Sequence, residues 1–198
     1  MTRSRYRSSR GLLRRAAVAA TVALALVAAR PAGATALMQM SLDQISRAAQ
    51  AIVRARCIGN STRWDAGEIW TFTSFEVEET WRGSTALQIS VRLLGGRVAD
   101  ITSTVSGVPR FHKGEEVILF LEATPRRDYS IVSWEQGTFR IVKDARSGDE
   151  VAVQDTASFP VFDSATRRFE TAGIRNLPVA ALRSRVATAL GGTAKRQP

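Results

Sequence analysis

A thiol and an imidazole are the side chains best suited to nucleophilic catalysis in this chain, and each occurs once, as Cys57 and His112. A Cys–His pair works when both groups share a partly exposed, electropositive site. Cys57 alternates in phase with Val53 and Ala55, which predicts a thiol that faces a core. His112 lies in a loop-like stretch and is expected at the surface. A hydrolase that uses His112 remains an alternative function.

Other patterns that catalysis or metal binding would need are missing from the sequence. The chain has no Gly-x-Ser-x-Gly motif to present a serine nucleophile. Its adjacent carboxylates, Glu78-Glu79, Glu115-Glu116 and Asp149-Glu150, would point to opposite faces of a strand. With one histidine and one cysteine, a zinc site would need carboxylates for nearly all its ligands. The sequence therefore predicts a non-enzymatic protein with no catalytic residue, no metal site and no cofactor.

Four aromatic side chains are the candidate binding residues: Trp64, Trp70, Phe72 and Trp134. Trp70 and Phe72 are predicted to share the strand face opposite the core, and Trp64 is predicted to lie in a loop. Stacked aromatic rings are a common means of holding sugars or bases. The alternative is that helices or the C-terminal segment cover this face.

The first 36 residues predict a secretory signal peptide. An arginine-rich start precedes an uncharged stretch from Ala16 to Ala29, and Ala34 and Ala36 end two candidate cleavage sites. The uncharged stretch is shorter than the ~20 apolar residues that span a bilayer, so cleavage is favoured over a retained membrane anchor. Small alanines after Arg14-Arg15 favour plain secretion over a twin-arginine route. The mature chain is therefore expected outside the cytoplasm, periplasmic or released.

The formal net charge of +10 does not predict nucleic-acid binding once its distribution is considered. Seven of the 28 basic residues and none of the 18 acidic residues lie in the first 36 positions. The segment from 165 to 198 is also basic, which leaves the stretch from 37 to 164 slightly acidic. Nucleic-acid binding needs a basic surface to neutralise phosphates. No nucleic-acid partner is expected, and the basic C-terminal tail is interpreted as a solvated face.

Hydrophobic periodicity predicts a mainly β domain between two helices. A capping box at Ser41 and Gln44 starts a short helix that is expected to lie against a sheet. Period-two alternation then predicts a strand from Ala51 to Asn60, a long strand from Ile69 that keeps Trp81 on its apolar face, and a strand that begins at Leu87.

The second half of the chain is predicted to add three or four strands. A long irregular loop is expected before the continuous apolar run 117–121, which is typical of a central strand covered on both faces. Segments 129–134 and 138–143 are predicted to form a hairpin, followed by a turn into 151–153. Val179, Leu182, Val186 and Leu190 predict an amphipathic helix at about 178–190.

The order of these segments carries a family resemblance. Residues 51–56 (AIVRAR), 75–83 (FEVEETWRG), the alternating strand from Leu87, and 111–121 (FHKGEEVILFL) resemble the netrin-like module of the tissue inhibitors of metalloproteinases. They resemble even more closely a group of uncharacterised secreted bacterial proteins with the same layout. The resemblance covers roughly residues 42 to 143, and it implies an OB-like antiparallel barrel of five to seven strands over residues 37–164. The paired cysteines of the inhibitors are absent, so their disulfides and zinc-binding amine do not carry over.

Two binding hypotheses follow for the secreted domain. The first is a non-enzymatic binding module that recognises a protein partner. The second is a glycan-binding accessory domain that uses the four aromatic side chains. No transmembrane segment is expected after signal cleavage.

Overall fold

The computed structural model describes residues 38–154, 156, 161–163, 166–170 and 173–191. The predicted signal peptide, with both cleavage sites, lies outside the described residues, and so do the basic residues Lys195 and Arg196. Secretion therefore stays a prediction from the sequence.

The described residues form a mainly β structure with a short N-terminal helix and a C-terminal helix, as predicted. A single turn of 3-10 helix, Trp134–Gly137, interrupts the strands. The helices are α1 (Leu42–Ala48) and α2 (Val179–Ala189), and the strands are β1 (Ala51–Asp65), β2 (Glu68–Arg82), β3 (Gln88–Leu94), β4 (Gly96–Val98), β5 (Ile101–Ser103), β6 (Glu116–Ala123), β7 (Tyr129–Ile131), β8 (Thr138–Lys143), β9 (Glu150–Val153), β10 (Val161–Asp163), β11 (Arg168–Glu170) and β12 (Leu177–Pro178).

Five of the strands close into a ring within a mixed sheet. The order is β1, β2, β3, β7 and β6, and β6 pairs back onto β1. The β3–β7 contact is parallel and the other pairings of the ring are antiparallel. Strands β8, β9 and β12 continue the sheet outward from β6. The predicted central strand is confirmed, since residues 117–121 of β6 are fully buried.

Strands β1 and β2 form a long hairpin that extends past the ring, because β6 pairs only with the first six residues of β1. A bulge leaves Ile58 without a partner between the pairs Cys57–Phe75 and Gly59–Ser74. One extra residue reverses the inward and outward alternation of a strand. Beyond the bulge, the odd-numbered residues of β1 therefore point outward.

The interior of the ring is filled with small and branched apolar side chains. Cys57 belongs to this inner cluster and is 1% exposed, so the predicted core-facing thiol is confirmed. The ring of Phe75 meets that of Phe111 edge-on, with centroids 5.1 Å apart. The inner cluster consists of Ala51, Val53, Ala55, Cys57, Phe75, Ile89, Val91, Leu93, Phe111, Val117, Leu119, Leu121 and Ile131.

A second apolar cluster lies on the outer side of β1, β6 and β8, where both helices cover it. The capping box of α1 is present: the Gln44 N–H donates to Ser41 Oγ, and the Ser41 N–H donates to Gln44 Oε1. Ile45 of α1 and Leu182 of α2 are buried against Phe120. The helices therefore bury their apolar sides on this part of the sheet.

Three sequence-based predictions for the first half of the chain were wrong: the end of one strand, the face on which one side chain lies, and the start of another strand. Strand β1 runs to Asp65 instead of ending at Asn60. Trp81 does not continue the face of Val77, because bulges in β2 turn Trp81 onto the outer cluster while Val77 packs on the inner one. Leu87 precedes β3 and is exposed.

Two predictions about connections were also wrong. The long loop before β6 contains the short hairpin of β4 and β5, whose three-residue strands leave little alternation to detect. Strands β7 and β8 do not pair with each other; both pair with the edge of β6 that faces away from β1, β8 at residues 117–119 and β7 at residues 121–123. Short strands also raise the number of strands above the predicted five to seven.

Candidate binding site

The structure brings two of the four predicted aromatic residues together and separates the others. Trp70 and Phe72 share the outward face of β2. Trp64 is paired with Ile69, on the opposite face of the hairpin, and is half exposed. The sequence had predicted a loop for Trp64, and this was wrong, because Trp64 belongs to β1. Trp134 begins the 3-10 helix after β7, so it belongs to a different part of the molecule.

Two arginines stack on the rings of Trp70 and Phe72. The guanidinium carbon of Arg63 lies 3.6 Å from the centroid of the Phe72 ring. The guanidinium carbon of Arg92 lies 4.1 Å from the Trp70 centroid and 5.8 Å from the Phe72 centroid. Phe72 is 8% exposed, since the arginines cover its faces. We call these four residues, with Asp65 and Arg126, the arginine–aromatic face.

The strand register explains why these side chains meet. Arg63 is directly opposite Trp70, and Arg92 is directly opposite Phe72. Side chains of directly opposed residues in an antiparallel pair lie on one face at about 5 Å. The bulge at Ile58 is essential, because without it Arg63 would point to the same side as Cys57.

A single carboxylate joins the arginines at the edge of the face. Asp65 accepts a hydrogen bond of 2.9 Å from Arg92 and a second one from Arg126. The hydrogen bond from Arg126, followed by that from Arg92, lowers the pKa of Asp65 below its usual value. Asp65 thus pairs with two of the three guanidinium groups, and Glu68, directly opposite it in the strand register, is a second carboxylate at this edge.

A second set of arginines lies on the outward side of the same strand, nearer its start. Arg54 binds three carboxylates: Glu150 at 2.7 Å, Glu116 at 2.8 Å and Glu78 at 3.2 Å. Arg56 contacts Glu78 and Glu116. The hydrogen bond to Glu150 is the largest influence on Arg54, and it raises the arginine pKa further. We call this set the arginine–glutamate cluster.

Cys57 and His112 have different surroundings. Burial raises the pKa of the Cys57 thiol, which keeps it in the less nucleophilic protonated form. The His112 side chain is 84% exposed, and its Nδ1 lies 3.2 Å from Glu115 Oε1. Burial acts to raise the pKa of Glu115, but hydrogen bonds from His112 and Arg140 outweigh burial and lower it.

The described part of the chain holds neither a cluster of metal-ligating side chains nor a membrane-spanning helix. Within it, no three His, Cys, Asp or Glu side chains are grouped closely enough to hold a metal ion. None of the helices that the structure describes is long and apolar enough to cross a membrane.

Comparison with known proteins finds no family model that matches this chain and no similar curated protein. The site is therefore interpreted from its own residues.

Sequence reasoning found the aromatic rings of the site and missed its arginines. Arg92 alternates with Val91 and Leu93, so its outward position was predicted, but no binding role was assigned to it. Arg63 lies beyond the predicted end of the strand. Residues 60–65 contain neither proline nor glycine and include Thr62 and Trp64, residue types that favour strands, which was the signal for a longer strand.

Proposed function

We propose that this chain is a non-enzymatic, extracytoplasmic binding module that recognises a protein partner through the arginine–aromatic face. The proposal includes an OB-like character for the five-strand ring, in line with the netrin-like layout of the sequence. One observation carries it: the exposed Arg63 lies over the Phe72 ring, with its guanidinium carbon 3.6 Å from the centroid, beside Arg92, which lies 4.1 Å from the Trp70 centroid.

Stacking prepares the arginines for binding. A guanidinium group is planar and carries its N–H donors around its edge, so a ring against its flat side leaves the donors free to point at a partner. Binding an arginine that is already held costs less side-chain entropy than binding a mobile one. Arginine and tryptophan are also the residue types that most often dominate protein–protein binding energy.

Charge defines the surface that such a partner should offer. Arg63 is exposed and forms no ion pair with any of the described residues, so its positive charge is available to a partner. Carboxylates bind guanidinium groups through paired, charge-assisted hydrogen bonds. The partner is expected to present acidic side chains to this face.

The glycan alternative receives less support from the same contacts. Sugars stack on open ring faces, whereas Arg63 and Arg92 occupy faces of Phe72 and Trp70. The buried state of Phe72 removes it further from a sugar.

Capture from the envelope fraction of the source cells tests the proposal. Immobilised wild-type chain should retain a protein that the R63E variant does not retain, because the reversed charge repels an acidic surface. R146E is the matched control, since Arg146 is exposed and lies in the turn between β8 and β9, outside the arginine–aromatic face. Equal capture by wild type and R63E would contradict the proposal. Retention of polysaccharide that is lost on combined W70A and F72A substitution, with folding intact, would favour the glycan alternative.

A further inference from the structure

A pocket of about 270 Å³ opens on the inward side of the long hairpin, past the end of the inner cluster. The part of its wall that the hairpin supplies is polar: after the pair Cys57–Phe75, the inward positions become Asn60, Thr62, Thr71 and Thr73. Apolar side chains complete the lining, namely Leu93, Leu94, Val108 and Pro109. Phe111 of the inner cluster lines the pocket as well. Hydroxyl and amide groups therefore occur in place of the branched apolar side chains that fill the rest of the interior.

The hydrogen bonds of the wall determine what it can offer. Thr73 Oγ1 donates to Asn60 Oδ1 at 2.6 Å, and Thr71 Oγ1 donates to the Gly95 carbonyl at 2.7 Å. Thr62 Oγ1 lies 3.3 Å from Thr71 Oγ1. Since a hydroxyl has one proton, and Thr71 gives its proton to Gly95, Thr62 is the donor of this third bond. All three hydroxyl protons are used inside the wall. Thr73 is fully buried, so the oxygen lone pairs that remain for a ligand are those of Thr62 and Thr71.

Donors to a ligand come from another group of lining residues. Arg97, Arg110 and His112 line the pocket, and none of the described residues that line it carries a carboxylate. Arg97 uses its Nε–H on the Ala99 carbonyl, which leaves the other N–H groups of its guanidinium. The pocket thus combines a wall of acceptors with cationic donors.

Glycine keeps the pocket open at the end of β3. Gly96 has φ +136, where other residues rarely occur, and a Cβ there would collide with Thr71 Oγ1 and the Thr62 methyl group. The space in front of the two hydroxyls therefore depends on this residue.

We propose that this pocket binds a sugar acid: a polyhydroxylated ligand of monosaccharide size that carries one carboxylate. Its hydroxyls donate to the threonine wall, and its carboxylate accepts from Arg97 and Arg110. A volume of about 270 Å³ is just below the ~300–1,000 Å³ of pockets for drug-sized ligands, which suits a single sugar ring. The site lies on the opposite side of the hairpin from the arginine–aromatic face and does not depend on the proposed protein partner.

Calorimetric titration of the purified chain with glucuronate tests this site, with glucose as the neutral control. We expect saturable binding of glucuronate and at least about tenfold weaker binding of glucose, because the carboxylate–arginine hydrogen bonds are charge-assisted. Glucose binding as tight as glucuronate binding, or no saturation by glucuronate up to about 10 mM, would overturn the proposal.

Two pairs of variants locate the binding. T71V should weaken glucuronate binding severalfold, while T80V, which changes an exposed threonine on the same strand, should leave it unchanged. R97Q should weaken it about tenfold without affecting the fold, and R146Q, which changes an exposed arginine in the turn between β8 and β9, should not weaken it. Wild-type affinity in both T71V and R97Q would overturn the assignment to this pocket.

A short polyuronate distinguishes the two sources of a sugar acid. Binding of the oligomer that is tighter than that of glucuronate would identify the end of an acidic polysaccharide as the ligand. Equal or weaker binding would identify the free sugar acid. Either result supports the shared chemistry.

Discussion

The arginine–glutamate cluster and the arginine–aromatic face lie on the outward side of one strand, β1, and use the same side chain in opposite ways. Arg54 and Arg56 are surrounded by the carboxylates of Glu78, Glu116 and Glu150. Arg63 lies over the Phe72 ring, with its guanidinium carbon 3.6 Å from the centroid, and it forms no ion pair with any of the described residues.

The difference separates a structural role from a binding role. An arginine whose N–H groups are directed at carboxylates of its own chain contributes to the fold. An arginine that is held by a ring through its flat side keeps its N–H edge for another molecule. The partners of Arg63, rather than its residue type, therefore distinguish it from Arg54 and Arg56.

The largest difference in stability is expected on removing one arginine from each region. R54A leaves three neighbouring carboxylates without their common cation and should lower the free energy of unfolding by about 2 kcal/mol. This is less than for a fully buried pair, because the Arg54 side chain is 20% exposed. Urea denaturation measures the change. A smaller loss of unfolding free energy for R54A than for R63A would contradict the comparison.

R63A should have the smaller effect on stability. Loss of its stacking on Phe72 should lower the free energy of unfolding by about 0.5–1 kcal/mol, the usual contribution of an exposed cation–π contact. R97A, a change of the same kind outside both regions, is the matched control for the urea measurement. A loss of several kcal/mol for R63A would assign this arginine to the fold rather than to binding.

Acid should weaken the arginine–glutamate cluster in a way that depends on Glu150. The hydrogen bond from Arg54 is the main cause of the lowered Glu150 pKa, against the ordinary 4.5. A carboxylate with a lowered pKa stabilises the fold above its ordinary pKa, and this contribution is lost as pH falls toward the folded-state value. The difference in unfolding free energy between wild type and E150Q should therefore be largest at neutral pH and shrink below pH 4.5.

Denaturation curves at several pH values measure this small effect. Asp65 also has a lowered pKa, but it is present in wild type and E150Q alike and cancels in the difference. A constant difference from neutral to acidic pH would show that the charge of Glu150 does not stabilise the fold.

Local patterns predicted much of this fold. The capping box at Ser41, the alternation at Cys57 and the continuous apolar run of β6 each depend on a few neighbouring residues, and each is confirmed. The helix α2 is confirmed for the same reason, since Leu182 and Val186 lie one turn apart and both are buried.

The candidate site could be predicted only in part, because it depends on register. Trp70 and Phe72 were placed on one face correctly, since no bulge separates them. The bulge at Ile58 changes the direction of Arg63, and it forms through pairing with a strand that follows later in the chain. Trp81 was placed on the wrong face for the same reason, since the bulges in β2 also depend on its pairing with β1.

Replacing one arginine by lysine in each region tests the central claim most directly. With the protein captured from the envelope fraction as ligand, R63K should bind about tenfold more weakly than wild type, because lysine keeps the charge but not the stacked, planar fork of donors. R56K should bind with wild-type affinity, because Arg56 acts within the fold. Equal dissociation constants for R63K and wild type, or a loss of affinity confined to R56K, would contradict the account.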